Sequence, residues 1–428
     1  MPNHLAITIG PIYKTMSQAK KTRELWSVSF TFSRLMKHLI DAFSAHGKLI
    51  SPGVTVKQPL HGAGVFPDRC FFKLSGDLLS ENEITITKKN AFQQFHSETG
   101  LTNTENYFQV YIVQAGITDY PIGTLNTMLD TLELQENYSP VPLIDWQANW
   151  AVSGYFQKLY KLGFADNDQL LPDLLLKNKH TIRRFPSIPE ISTNEFTKKE
   201  YQKYWSAIGY QTLSANNNVS GRVATLENEE DDDDAIIKKI KKAFADDFMF
   251  RHKYFSIVYA DGDNIGKLIN EIEEKGGIVK TFSEQLNRFA ETATDLLVQY
   301  GAFPVYIGGD DLVFFAPVAH NLQSDNFGFS VNVAHGNVFG NNLFFLLSML
   351  NEEFKKALGP VNQSGIPVSL SFGVMCGYYK QPLREIKDAA AHALFNDAKK
   401  NGKNYISMIV QKHSGSSFRL GFGQNSNL

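Results

Sequence analysis

Cysteine is almost missing from this chain. Only Cys70 and Cys376 occur among 428 residues, too few for a zinc cluster or a disulfide framework, and such usage predicts a reducing cytoplasm. Long apolar runs are missing as well. No stretch approaches the ~20 continuous apolar residues of a membrane span, and the N-terminus lacks a signal-peptide pattern, so no membrane association is expected. Neither sign of charge is in excess: 42 Lys and Arg face 44 Asp and Glu, for a net charge of −2. No global basic field therefore advertises nucleic-acid binding, although local contacts, or RNA held by partner subunits, stay compatible. A hydrophobic content of 43% and a charged content of 20% suit an ordinary globular protein. The length suggests about two to four domains with real cores.

Two short stretches stand out from this plain background, Tyr259-Ala-Asp-Gly-Asp-Asn264 and Gly308-Gly-Asp-Asp311. Each ends an apolar run, Phe255–Ala260 and Phe303–Ile307, that reads as a buried strand stopping at carboxylates. The pair Gly308-Gly309 can form a tight hairpin turn, since glycine accepts positive φ without steric cost, and Leu312–Phe315 resumes as the returning strand. Asp261, Asp310 and Asp311 would then meet at one sheet edge, where acidic oxygens hold hard divalent cations beside nucleotide phosphates. Taken alone, each motif also reads as a solvated turn. Together, in strand-acid order, they point to a palm-type nucleotidyl transferase or cyclase.

The same topology occurs twice. The C-terminal half reads as a strand 254–260, helices near 264–275 and 282–299, a hairpin 303–316, a helix 341–357 and a strand 368–376. Ile265, Leu268, Ile269 and Ile272 form the apolar stripe of the first of these helices. This is βαββαβ, a ferredoxin-like palm, and its usual strand order 4-1-3-2 brings the end of the first strand beside the hairpin tip. The N-terminal half repeats the order with a strand His4–Ile9, one long helix Tyr13–Ala45, extended chain near 48–58, a strand Arg69–Leu74, a helix Asn90–Thr99 and a strand Tyr107–Val113. Its acids have gone: Gly10-Pro11 stands where Asp261 would, and His61-Gly-Ala-Gly64 with Pro67-Asp-Arg69 occupies the hairpin region. The expected fold is α+β, two palms around a mostly helical domain. Its expected parts are a degenerate palm 1–115, an intervening domain 116–250 with an acidic linker 227–234, a catalytic palm 251–411 and a tail 412–428. Trp146, Trp150 and Trp205 would give the middle domain its own core. The like-charge block Glu227–Asp234 reads as a solvated linker, and Lys238–Lys242 behind it as part of a helix.

Three carboxylates and a triphosphate cannot converge without positive charge. Ala398-Lys-Lys-Asn-Gly-Lys-Asn404, at the end of a helix expected over 388–400, offers Lys399 and Lys403 at a spacing that can aim both at one site. Gly402 would end that helix in the left-handed conformation. The alternative is that these lysines only complement the helix dipole.

These motifs resemble the GGDEF/adenylyl-cyclase palm group. The Gly-Gly-Asp-Asp variant is similar to the large polymerase/cyclase subunit of type III CRISPR effector complexes. Ile9-Gly-Pro-Ile12, Ala19–Ser27 and His252–Leu268 resemble the Cmr (III-B) branch of that subunit. The resemblance implies an ATP-using, metal-dependent nucleotidyltransferase, activated by target RNA, that joins AMP units 3′ to 5′ into a cyclic oligoadenylate. It implies Mg2+ or Mn2+ in a two-metal site and partners that include sister subunits, guide RNA and target RNA. Asp261, Asp310 and Asp311 carry over as catalytic metal ligands. The flanking Gly262, Asp263, Asn264, Gly308 and Gly309, with Lys399 and Lys403, carry over as nucleotide contacts. In cyclase relatives the Asp263 position often points away. Many relatives also carry a DNA-cutting HD nuclease domain. No His-Asp doublet occurs here, so no DNase activity is expected. Alternatives are conjugation of ATP to S-adenosylmethionine, a catalytically silent scaffold, and a stand-alone dinucleotide cyclase.

Overall fold

The computed structural model describes residues 1–19, 21–53, 63–99, 104–134, 187–193, 233–275, 277, 279–319, 330–333, 336–339 and 342–424. The N-terminal half contains β1 (Asn3–Gly10), α1 (Ile12–Gln18), α2 (Thr22–Phe43), β2 (Gly47–Ser51), β3 (Arg69–Leu74), α3 (Glu81–Thr99) and β4 (Gln109–Gly116). Its sheet runs β2-β3-β1-β4, all pairs antiparallel, which is the expected 4-1-3-2 order. β1 is central, and His4–Ile9 are buried along its whole middle. On α2, Val28, Phe32, Leu35, Met36 and Leu39 recur at helical spacing and pack with Phe92 and Phe95 of α3 over Leu5, Ile7 and Phe72.

Two elements differ from expectation. The single helix expected over 13–45 is broken between Gln18 and Thr22. There the Met16 carbonyl accepts from Ala19 N at 3.1 Å and from Lys387 Nζ at 2.9 Å, which turns α1 toward the later half of the chain. α3 begins nine residues before the expected Asn90. Ser80 and Glu83 cap it reciprocally, Ser80 N donating to Glu83 Oε2 at 2.8 Å and Glu83 N to Ser80 Oγ at 3.3 Å.

Between the halves lie α4 (Pro121–Glu133), α5 (Ile188–Ser192) and α6 (Asp233–Phe244). Trp146, Trp150, Trp205 and most of the acidic block fall outside the described residues. Its last two acids, Asp233 and Asp234, open α6. There Asp234 accepts from Tyr379 Oη and Lys380 Nζ, each at 2.6 Å.

The C-terminal half contains β5 (Tyr254–Asp263), α7 (Ile265–Glu274), α8 (Val279–Tyr300), β6 (Phe303–Gly308), β7 (Asp311–Pro317), β8 (Ser330–Val333) and β9 (Gly336–Phe339). After these come α9 (Leu343–Leu358), β10 (Ser369–Tyr378), α10 (Leu383–His392), a π turn Ala393–Ala398, β11 (Tyr405–Gln411) and β12 (Ser417–Gly423). The sheet order is β12-β11-β10-β5-β7-β6. Strands β10-β5-β7-β6 repeat the 4-1-3-2 palm, and β11 and β12 extend it. β12 lies in the segment expected as a tail and pairs with β11 from Tyr405↔Gly423 to Gln411↔Ser417.

The two halves share a core. Ala6, Phe71, Ile122, Leu125 and Leu129 pack in one cluster with Val258, Leu268, Phe282 and Phe314. Polar contacts add direction: Ser29 Oγ donates to the Val305 carbonyl at 2.9 Å. Gly64 N donates to the same carbonyl at 3.2 Å, and Ile307 N donates to the Gly64 carbonyl at 2.8 Å. No helix among the described residues is long and apolar enough to cross a membrane.

Candidate active site

β5 leaves the core at Asp261. Its partner β7 is registered Ala260↔Leu312, which sets the ends of both strands side by side. Gly308 pairs with Asp311, so the hairpin turn is Gly309-Asp310, one residue later than the expected glycine pair. Gly309 takes φ +68 at the first turn position, the conformation for which a two-residue hairpin favours glycine there. At Gly262 closeness matters more than φ. A Cβ there would lie 2.7 Å from both Cβ and Oδ2 of Asp310, so a missing side chain lets the hairpin acid cross the end of β5.

The acids repel one another. Burial, then the neighbouring Asp261, pushes the Asp310 carboxyl up to about 7. Asp311 is raised as well, by the atoms crowded around it and by Asp310 and Asp261. Asp311 still reaches solvent, so the group lines a crowded cleft open on one side. Asp68, from the turn before β3, adds its negative charge to the fields felt by Asp310, Asp311 and Tyr306. Asp68 is itself exposed; the protein atoms crowded around it raise its carboxyl, with Arg69 opposing. Arg69 is engaged by Asn126, Asp130 and Glu133. The degenerate palm therefore contributes an acid to the cleft, which the sequence reading did not single out.

Asp263 is fully buried, with 0% of its side chain exposed. Its Oδ2 accepts from Ser369 Oγ at 2.7 Å, Ser371 Oγ at 2.8 Å and Asn404 N at 2.8 Å. Its Oδ1 accepts from Lys399 Nζ at 2.7 Å. This carboxylate is saturated by the protein and turned into it. Ser369 and Ser371 stand opposite Asp263 and Asp261 on β10, and the alternating Ser-x-Ser was a signal that could have disclosed them.

Lys399 lies across the end of β5. Besides Asp263 its Nζ meets Asp261 Oδ2 at 2.6 Å, and the carbonyls of Asp261 and Gly262 at 3.0 and 2.9 Å. Burial opposes its charge, but the two carboxylates outweigh burial and hold its pKa above the ordinary lysine value. The helix expected to run through Lys400 widens into the π turn, where Lys399 N donates to the Leu394 carbonyl at 3.0 Å, and this aims Lys399 inward. Gly402 (φ +103), Lys403 (φ +66) and Asn404 (φ +47) then follow in positive φ, two of them non-glycine and hence strained. Lys403 is exposed and donates to Asn264 Oδ1 at 2.9 Å. Asn264 itself takes φ +64 as the residue before α7.

Among the described residues no three or more His, Cys, Asp or Glu side chains are set to hold a metal ion. Asp261 and Asp310 nevertheless fit Mg2+ or Mn2+, because such ions commonly take one or two carboxylates and complete their shell with phosphate and water. Burial first and Asp261 second raise the Asp310 carboxyl, and a divalent cation beside it would favour its charged form.

Residues 254–407 match the family described as Cas10/Cmr2, second palm domain, and residues 4–94 match CRISPR-associated protein Cmr2, N-terminal. Among solved structures the chain is similar to a type III-B Cmr-beta structure in the apo state, at 11% identity and TM-score 0.54, covering 98% of this chain and 70% of that one. It is also similar to an apo Csm1-Csm4 cassette, at 9% identity and TM-score 0.50, covering 99% of this chain and 56% of that one. At such identities the likeness is one of fold. Among curated proteins none matches by sequence. One family match lies in each palm and together they take in more than half the length, so the chain belongs to the Cas10/Cmr2 family of type III CRISPR effector subunits.

Proposed function

We propose that this chain is the target-RNA-activated nucleotidyltransferase of a type III-B CRISPR complex, joining AMP units from ATP 3′ to 5′ into a cyclic oligoadenylate. The observation that carries the reading is the crossing of Asp310 over Gly262 beside Asp261, in a cleft bounded by the other palm. Sister subunits and guide RNA are the partners that membership of this family suggests.

Each part of the site has a task. The first backbone N–H groups of α7, beginning at Ile265, have no partner within their helix and suit the donor triphosphate. Asp261 and Asp310 would hold Mg2+ or Mn2+, with Asp311 beside them adding negative charge. When bound, such ions lower the pKa of a 3′-hydroxyl and offset charge on departing pyrophosphate. Lys403 is the more exposed of the two lysines and is bonded to a neutral amide, so it is the cation placed to reach the triphosphate. Asp68 faces the acids from the first palm and repels phosphate there, which favours the sugar end of the acceptor nucleotide on that side. The acceptor 3′-oxygen bonds to the donor α-phosphorus, the α–β P–O bond breaks, pyrophosphate leaves and the hydroxyl proton passes to water.

The test is mass spectrometry of products from the purified complex with ATP and Mg2+ or Mn2+, with and without target RNA and S-adenosylmethionine. Oligoadenylate should form with target RNA. It should fall at least about a hundredfold in Asp310→Ala/Asp311→Ala, while target RNA still binds. An adenylated S-adenosylmethionine would keep the donor half of this reading and replace the acceptor. No nucleotide product under any condition leaves a scaffold.

A further inference from the structure

Lys399 is far more tightly held than a phosphate-reading lysine needs to be. An ammonium has three N–H donors, and here four oxygens lie within 3.0 Å: Asp261 Oδ2, Asp263 Oδ1 and two main-chain carbonyls. Two carboxylates plus two carbonyls form the kind of oxygen shell that hard cations take. The lysine is also delivered there by construction. The π turn before it aims its backbone inward, and the positive-φ run behind it is pinned where Asn404 N meets Asp263 Oδ2 and Gln424 N meets the Asn404 carbonyl.

We infer that Lys399 is a resident cation of the acidic cleft, which holds Asp261 away from divalent metal until nucleotide draws the ammonium off. The inference deepens the site proposed above and rests on it. Its geometry gives the two acids distinct parts. Asp263 is saturated and buried, so it serves as the fixed pivot that keeps one bond to Nζ. Asp261 is partly exposed at 26% and has Asp310 beside it, so it is the carboxylate that can be ceded. A triphosphate arriving at the start of α7 would offer the ammonium new acceptors within reach of that pivot. Lys399 is thus a positioning residue acting through Asp261, and it makes the metal site conditional on nucleotide. Electrostatics decides the sign of the test, because removing a positive charge from between carboxylates raises the negative potential there and strengthens metal binding.

The experiment titrates the whole 428-residue chain with Mn2+ alone, without nucleotide, and reads free Mn2+ by electron paramagnetic resonance. Lys399→Met and Lys399→Gln should bind Mn2+ about tenfold or more tightly than the unsubstituted chain, and Lys399→Arg should stay weak because it keeps the charge. Gln retains a donor for Asp263, and thermal melts beside the titration show that the variants are folded. Asp310→Asn in the Lys399→Met background should abolish the gain, which assigns it to this cleft. Unchanged or weakened Mn2+ binding in both neutral variants overturns the inference while leaving the proposed reaction standing. If the unsubstituted chain binds no Mn2+ even with a non-hydrolysable ATP analogue, the metal site itself fails, and this inference with it.

Discussion

At the scale of single residues the two neighbouring aspartates of β5 separate cleanly. Asp263 has every acceptor position used inside the protein, whereas Asp261 reaches the cleft. Asp263→Ala leaves two buried hydroxyls and an amide without their acceptor and takes one of two carboxylates from Lys399, so it should cost about 3–5 kcal/mol. Asp261→Ala at a partly exposed position should cost less than about 1 kcal/mol. Chemical denaturation of the two variants without metal checks the contrast, and equal losses would put both acids in the same role. The hairpin acid behaves in the opposite sense. Its folded pKa of about 7 lies above the ordinary carboxyl value, so the metal-free fold is favoured at low pH and loses that part of its stability as pH rises through about 7. Asp310→Asn should therefore leave Tm unchanged near pH 4, with a gain that grows toward pH 7 and levels above it. For a chain of this length a gain of roughly 1 °C would correspond to about 1 kcal/mol. The acids themselves were legible as residues because they interrupt apolar runs. The division of labour between them was not, because it depends on Ser369, Ser371 and Asn404, which lie more than a hundred positions away and approach only through β10 and the last turn.

Elements were legible where one pattern dominated. β5, α7, the β6–β7 hairpin and α9 come within a few residues of their expected ends, since each is an apolar run or stripe bounded by polar turn residues. α3 was missed over its first half because Glu83-Ile-Thr-Ile-Thr87 alternates with β-branched residues, the signature of a strand. The capping pair Ser80 and Glu83 outweighs that local preference, and the apolar positions Phe92 and Phe95 downstream hold the helix on α2. The shift of the hairpin turn by one residue has a functional corollary, since it makes Asp310 a turn residue that leans back over Gly262. Gly262→Ala should push the Asp310 carboxylate out of line, lowering nucleotide product about a hundredfold, the usual result of a misplacement near 1 Å. The variant should still fold but with a lowered Tm, because the displaced acid can move toward solvent whereas the buried Ile265, also 2.7 Å from that Cβ, must shift within the core. Product analysis and a melt of this one variant check both halves, and full activity would show that the crossing is not used.

The whole molecule was legible as two copies of one topology, because strand order follows from element order once the βαββαβ pattern is recognised. How the copies meet was not legible, since Ser29, Gly64 and Val305 carry no motif and their contacts join segments more than two hundred positions apart. That meeting has a consequence for how the chain is made. β6 is the outermost strand of the larger sheet, and an outermost strand is a template on which a stranger's backbone can add. Gly64 occupies the Val305 carbonyl and the Ile307 amide, so the first palm shields that border. Residues 251–424 produced alone should therefore self-associate at concentrations where the full chain stays monomeric, as light scattering would show. Equal behaviour of the two would mean that the border is harmless. Synthesis from the N-terminus already orders these events safely, because domains generally fold as units as they emerge. The guard leaves the ribosome before the strand it protects, and a circular permutation that put the catalytic half first would remove that order.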